Sequence, residues 1–110
     1  IKDELFERYR SSEDFIQKYI FPGGFLPSLS FMKSLIKKNN LGLSKVNSYS
    51  DDYAKTLAIW RENFLKVWSN IAPLGFDETF KRMWEFYLSY CEAGFKSKNI
   101  DLIQFSMSNK

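Results

Sequence analysis

The stretch Asp52-Tyr53-Ala54-Lys55-Thr56-Leu57-Ala58-Ile59-Trp60-Arg61-Glu62-Asn63-Phe64-Leu65-Lys66-Val67-Trp68-Ser69-Asn70-Ile71 decides how the chain is read. At about 100° per residue, Tyr53, Leu57, Trp60, Phe64, Val67, Trp68 and Ile71 fall within an arc of about 100°. Lys55, Arg61, Glu62, Lys66 and Asn70 take the rest of the circumference. This division predicts an amphipathic helix over 52–71. Ser50 or Asp51 would cap it, and Pro73 and Gly75 would end it.

Downstream, Asp77 is the expected cap of a second helix, with Glu78 in its first turn. Phe80, Met83, Trp84, Tyr87, Cys91 and Phe95 line one face, and Phe86 and Tyr90 widen the apolar arc. A helix apolar over so much of its girth is expected to be buried on more than one side. Gly94 on that stripe permits close approach, and Asn99 is the expected left-handed stop. Residues 100–107 then alternate, with Ile103, Phe105 and Met107 against Gln104 and Ser106, as in a half-buried strand.

Upstream, residues 43–49 read as a short strand. Ser28 after Pro27 opens a helix over 28–38, with Leu29, Met32, Leu35 and Ile36 on its stripe and Lys33, Lys37 and Lys38 toward its C-terminus. Phe21-Pro22-Gly23-Gly24 has the chemistry of a type II turn. Ser11 and Ser12 are expected to cap a short helix carrying Phe15, Ile16, Tyr19 and Ile20. Residues 1–10 give only a helical hint at Leu5, Phe6 and Tyr9. The expectation is four helices and two strands, and two strands alone are a marginal sheet.

At 110 residues the chain has room for one domain, and eleven Phe, six Tyr and three Trp argue for packing or a lipid-facing cavity. With no His, it holds no Ser-His-Asp triad and no His-ligated metal, and the single Cys91 excludes an internal disulfide. No apolar run approaches about 18 residues, so no segment reads as membrane-spanning. The first residues, Ile1-Lys2-Asp3-Glu4, lack a signal peptide's apolar stretch and an initiator Met, which points to a piece of something longer. Sixteen Lys+Arg against thirteen Asp+Glu leave a charge of +3. Cations do interleave with Trp68 and Trp84, but on the helical wheel they face away from them, so nucleic acid is not expected as a partner.

From pattern alone, Tyr53 is a core tyrosine with its hydroxyl at the rim, and Cys91 is a small buried hydrophobe. Asp51 and Asp52 are helix N-terminal acids. The lysines of 28–38 form a solvated face, with an anionic lipid surface as the alternative.

Several segments carry more than pattern. Tyr19-Ile20-Phe21-Pro22-Gly23-Gly24-x-Leu26-Pro27-Ser28 resembles a signature of cyclopropane-fatty-acyl-phospholipid synthases. Asp52-Tyr53-Ala54-Lys55-Thr56-Leu57-x-x-Trp60 resembles the next block of that family, which includes the mycolic acid cyclopropane synthases. Phe80-x-Arg82-Met83-Trp84-x-Phe86-Tyr87-Leu88-x-Tyr90-Cys91-x-x-x-Phe95 and Ile100-Asp101-x-x-Gln104 are similar to its last helix and strand. The blocks stand in the family's order.

The resemblance implies a parent S-adenosylmethionine-dependent methyltransferase with a doubly wound, Rossmann-like α/β fold. Residues 1–110 would be a C-terminal segment of its catalytic domain, mostly helical and ending in an antiparallel strand pair. The cofactor-binding half would lie outside the segment, leaving no cofactor expected on this chain alone. The implied reaction adds a methylene across a cis double bond of an acyl chain, through a carbocation that loses a proton to a bound bicarbonate. Tyr53 would be one bicarbonate ligand, and Leu57, Tyr87, Cys91 and Phe95 would wall the acyl cavity. Asp52, where the mycolic branch commonly has His, leans the reading to phospholipid acyl chains at the membrane surface. The enzyme would then be cytoplasmic and peripheral to the inner face of the membrane. The N-terminal remainder of the enzyme is the other implied partner. The competing reading is a free-standing helical module whose apolar stripes drive homo-oligomerisation or lipid binding.

Overall fold

In the computed structural model, which describes residues 1–110, the helix expected over 52–71 forms in two pieces. In chain order the elements are α1 (Asp3–Arg10), a π-helical turn (Ile16–Ile20), α2 (Leu29–Lys38), β1 (Leu41–Ser48) and α3 (Ser50–Lys66). α4 (Trp68–Ile71), a 3₁₀ turn (Ala72–Leu74), α5 (Glu78–Lys96) and β2 (Ile103–Asn109) follow. The break falls at Val67, whose φ of −102° and ψ of 11° leave the helical region. Pro73 and Gly75 close the run as expected, Gly75 by taking a φ of 103°.

The N-terminus of α3 differs from expectation. Neither Ser50 nor Asp51 is the cap; Tyr49 holds that position without a side-chain bond. Ser50 is buried within the first turn, and its hydroxyl donates to the Phe95 carbonyl at 2.5 Å. A long-range acceptor has won over the local capping role. Ser28 and Asp77 do cap their helices, accepting from the Phe31 and Phe80 amides at 3.1 and 2.9 Å.

At the other end of α5, Lys98 rather than Asn99 takes the left-handed conformation, with φ 61°. A Cβ on Gly94 would sit 2.9 Å from Ile100, so the glycine is what lets the chain fold back there.

Near the N-terminus, Asp3–Arg10 form a full helix, stronger than the hint in the sequence. Ser11 and Ser12 do not cap the next element. Their hydroxyls donate back to the α1 carbonyls of Glu7 and Arg8. The cap is Asp14, in a reciprocal box: its carboxylate accepts from the Gln17 amide at 2.8 Å, and its own amide donates to the Gln17 side chain at 3.0 Å. The turn at 21–24 forms as expected, with Gly23 at φ 81° and the Gly24 amide donating to the Phe21 carbonyl.

β1 and β2 pair antiparallel from Leu41↔Asn109 to Ser48↔Ile103. The strand ends are offset by one to three residues from those expected. Lys45 and Val46 together face Phe105 in a bulge between Ser44 and Asn47, with Lys45 at φ 51°.

The core lies between α3 and α5, where Ala54, Leu57, Leu88, Cys91 and Phe95 are buried together. A smaller cluster joins Phe6 to Phe25 and Phe31, with centroids 5.8 and 5.3 Å apart. Only nine of the 110 residues are buried, and sixteen large apolar side chains stay exposed. The expected burial of α5 on a second side is incomplete: Phe86 and Tyr90 meet Phe15 yet stay exposed. No helix is long and apolar enough to cross a membrane.

Candidate functional site

Tyr53 and Leu57 stand one turn apart on α3, and Tyr87, Cys91 and Phe95 stand at successive turns of α5. The two helices run antiparallel, with Tyr53 beside Phe95 at one end and Phe64 beside Phe80 at the other. All five residues singled out by sequence therefore belong to one cluster: Leu57, Cys91 and Phe95 at its centre, Tyr53 and Tyr87 at its margin.

The Tyr53 ring meets Phe95 edge-on at 4.7 Å and Trp60 at 5.9 Å, which fixes the ring without engaging its hydroxyl. No hydrogen bond within the chain uses that hydroxyl, so its proton is free for an outside acceptor. The Ser50–Phe95 bond ties down the turn on which Tyr53 stands.

Burial pushes the Cys91 thiol up to about 11, while a hydrogen bond from the Tyr87 hydroxyl pulls slightly the other way. Such a thiol is neutral at physiological pH and is therefore a poor nucleophile. Burial also raises Tyr87, and the neighbouring Cys91 and Tyr53 add to the shift.

The chain's two larger concavities lie elsewhere. A cleft of about 640 Å³ runs between α1 and α5, past Tyr9, Asp14, Tyr90 and Gly94. Another of about 450 Å³ lies by Ser28, Met32, Phe95 and Phe105. Of the five residues only Phe95 reaches either cleft, so within this chain they form a packed face and not a closed cavity. Lys33 and Lys37 line a shallow cleft of about 330 Å³ with Lys110, at the end of β1 away from Tyr53.

Two residues escaped the sequence reading. Ser50 acts through a partner 45 positions away, which no local pattern reveals. Asp14 could have been found from its Asp-x-x-Gln spacing.

The residues present do not form a nucleoside-binding cradle. Gly23 and Gly24 make a tight turn, Gly42 lies in β1, Gly75 follows the 3₁₀ turn and Gly94 packs on Ile100. None stands in a loop from a strand to a helix N-terminus, the geometry that S-adenosylmethionine would require.

The sequence profile of mycolic acid cyclopropane synthetase matches residues 2–105. The chain belongs to the mycolic acid cyclopropane synthetase family. This family member is 46% identical over 100 residues to the tuberculostearic acid methyltransferase UfaA1 of Mycobacterium tuberculosis (strain ATCC 25618 / H37Rv), covering 89% of this chain and 23% of that protein. It is 35% identical over 96 residues to the cyclopropane-fatty-acyl-phospholipid synthase of Escherichia coli (strain K12), covering 87% and 25%.

Among solved structures, the mycolic acid cyclopropane synthase CmaA1 complexed with SAH and CTAB superposes with a TM-score of 0.80 at 30% identity, covering 94% of this chain and 35% of that one. The cyclopropane synthase MmaA2 from Mycobacterium tuberculosis gives a TM-score of 0.79 at 27% identity, covering 97% and 36%. The family member thus spans about a quarter of the length of the curated relatives it matches, and corresponds to their C-terminal part. Its strand pair and helices belong to the α/β fold of S-adenosylmethionine-dependent cyclopropane synthases.

Proposed function

We propose that this chain is the C-terminal segment of the catalytic domain of a methyltransferase that cyclopropanates or methylates unsaturated acyl chains of phospholipids. The observation that carries the reading is the Tyr53 hydroxyl, unengaged at the margin of the packed face formed by Leu57, Tyr87, Cys91 and Phe95. Methylation of a cis double bond leaves a cation on the acyl chain, and ring closure removes a proton from the new methyl group. This chain's part is to present apolar wall to the acyl chain and aromatic rings to the cation. Tyr53 would donate one hydrogen bond to the proton-accepting anion, bicarbonate, in a dry pocket where that bond counts most. The other anion ligands and the S-adenosylmethionine site belong to segments outside this chain. The chain alone is therefore expected to be inactive, and the enzyme to work at the inner face of the membrane.

In the full-length enzyme, Tyr53→Phe should lower methyl transfer at least tenfold while leaving S-adenosylmethionine affinity within twofold, as calorimetry would read. Unchanged turnover removes Tyr53 from the site.

The extent of uncovered apolar surface favours a second reading for the isolated chain, self-association. Light scattering from the 13.0 kDa chain tests it. A dimer or larger species supports it, and a strict monomer that binds no hydrophobic dye excludes it.

A further inference from the structure

α3 and α5 form a helical hairpin whose apex, residues 67–77, is apolar where a soluble turn is ordinarily polar. Leu74 is 75% exposed, Val67 44% and Phe76 43%, at the end of the hairpin farthest from Tyr53. Just behind them, Trp68 stacks on Phe80, and the Lys81 ammonium lies 5.5 Å over the Trp68 ring. An indole backed by a cation behind an apolar apex is the arrangement side chains adopt at a lipid–water boundary.

Residues 66–82 around the apex carry a net charge of +1, from Lys66, Lys81 and Arg82 against Asp77 and Glu78. Lys66, Lys81 and Arg82 have no carboxylate within ion-pair range. The two acids of that span serve α5 itself, Asp77 as its cap and Glu78 in its first turn, and Glu62 and Glu85 stand about one turn farther back along the hairpin. An aromatic row leads back from the apex to the candidate site, Phe76 to Phe80 at 4.6 Å, Phe80 to Trp84 at 5.7 Å and Trp84 to Tyr87 at 5.0 Å.

We infer that the apex of the α3–α5 hairpin inserts into the boundary between headgroups and acyl chains of an anionic lipid bilayer, with Leu74 and Phe76 as the inserted side chains. The inference rests on the phospholipid reading for its occupant, and it names the surface by which the enzyme meets the bilayer.

The test uses the full-length enzyme and vesicles of phosphatidylethanolamine and phosphatidylglycerol. In co-sedimentation, Leu74→Asp should weaken vesicle binding at least tenfold, and Leu74→Trp should tighten it severalfold. The gain in the second variant cannot come from misfolding. Vesicle binding that neither substitution alters overturns the inference. So does an apex made inaccessible by a second copy or by the rest of the enzyme, seen as an unshifted Leu74→Trp emission on adding vesicles. Methyl transfer to detergent-dispersed phospholipid, measured separately, decides the functional reading: normal transfer with unaltered vesicle binding refutes the apex alone. Absent transfer with apex-dependent binding refutes the functional reading alone.

Discussion

Replacing Ser50 by Ala tests the link between the first turn of α3 and the last turns of α5. The Ser50 hydroxyl is buried and donates to the Phe95 carbonyl at 2.5 Å, with the Ile100 carbonyl a weaker second acceptor at 3.4 Å. The substitution removes the donor and leaves both carbonyls behind. A buried acceptor left without any partner costs about 1–3 kcal/mol. The Phe95 carbonyl keeps the Lys98 amide at 3.1 Å and the Ile100 carbonyl bond was long, so the loss falls in the lower half, about 1–1.5 kcal/mol. Trp60, Trp68 and Trp84 stand on α3, α4 and α5, so urea unfolding followed by tryptophan fluorescence reports on this hairpin directly. Ser50→Ala should lower the midpoint without changing the slope. A loss below about 0.5 kcal/mol would refute the claim that this bond ties the two helices together, because surface substitutions already scatter by that much.

Lys98 and Cys91 supply three further expected outcomes. Lys98 holds a left-handed φ of 61° that costs a residue with a Cβ about 1 kcal/mol, so Lys98→Gly should stabilise the chain by about 0.5–1 kcal/mol in the same urea titration, despite giving up an exposed contact with Asp51. The Cys91 thiol, raised from 9.0 to about 11 by burial, adds nothing to the pH dependence well below pH 9, where it is neutral in both states. Between those values the unfolded thiol ionises first, so stability should fall as pH rises and level off above 11. Comparing the alkaline slopes of the wild type and Cys91→Ala isolates this contribution. A thiol reagent should meanwhile label Cys91 only on unfolding.

Features set by local chemistry were legible in the sequence. Ser28 and Asp77 cap helices because a short polar side chain before an apolar run has one favoured use there. Pro22-Gly23 makes its turn for the same kind of reason. Helical spacing puts Tyr53 over Leu57 on one helix and Tyr87 over Cys91 and Phe95 on another, while the family resemblance was needed to join the two sets into one candidate site. Where two local uses competed, the pattern could not choose between them. Ser11 and Ser12 can cap a following helix or bond back to a preceding one, and they do the second.

Where the outcome depended on distant partners, the pattern was blind. Ser50 looked like a cap until Phe95 arrived beside it. Trp60 shares an apolar arc with Leu57, yet it is 48% exposed against 3%, because α5 covers less of the arc than the stripe offers. The strand offset has the same origin, since the bulge at Lys45 and Val46 sets the register and appears only once β2 is alongside.

The central claim, that this chain completes an acyl-modifying methyltransferase in which Tyr53 takes part, is tested most directly by the mass of the product. The full-length enzyme would be given methyl-labelled S-adenosylmethionine and a cis-unsaturated phospholipid, and the acyl chains analysed by mass spectrometry. The account predicts acyl chains carrying one labelled methylene or methyl group, formed far more slowly by Tyr53→Phe. Acyl chains without label, or label incorporated at full rate by Tyr53→Phe, would contradict it.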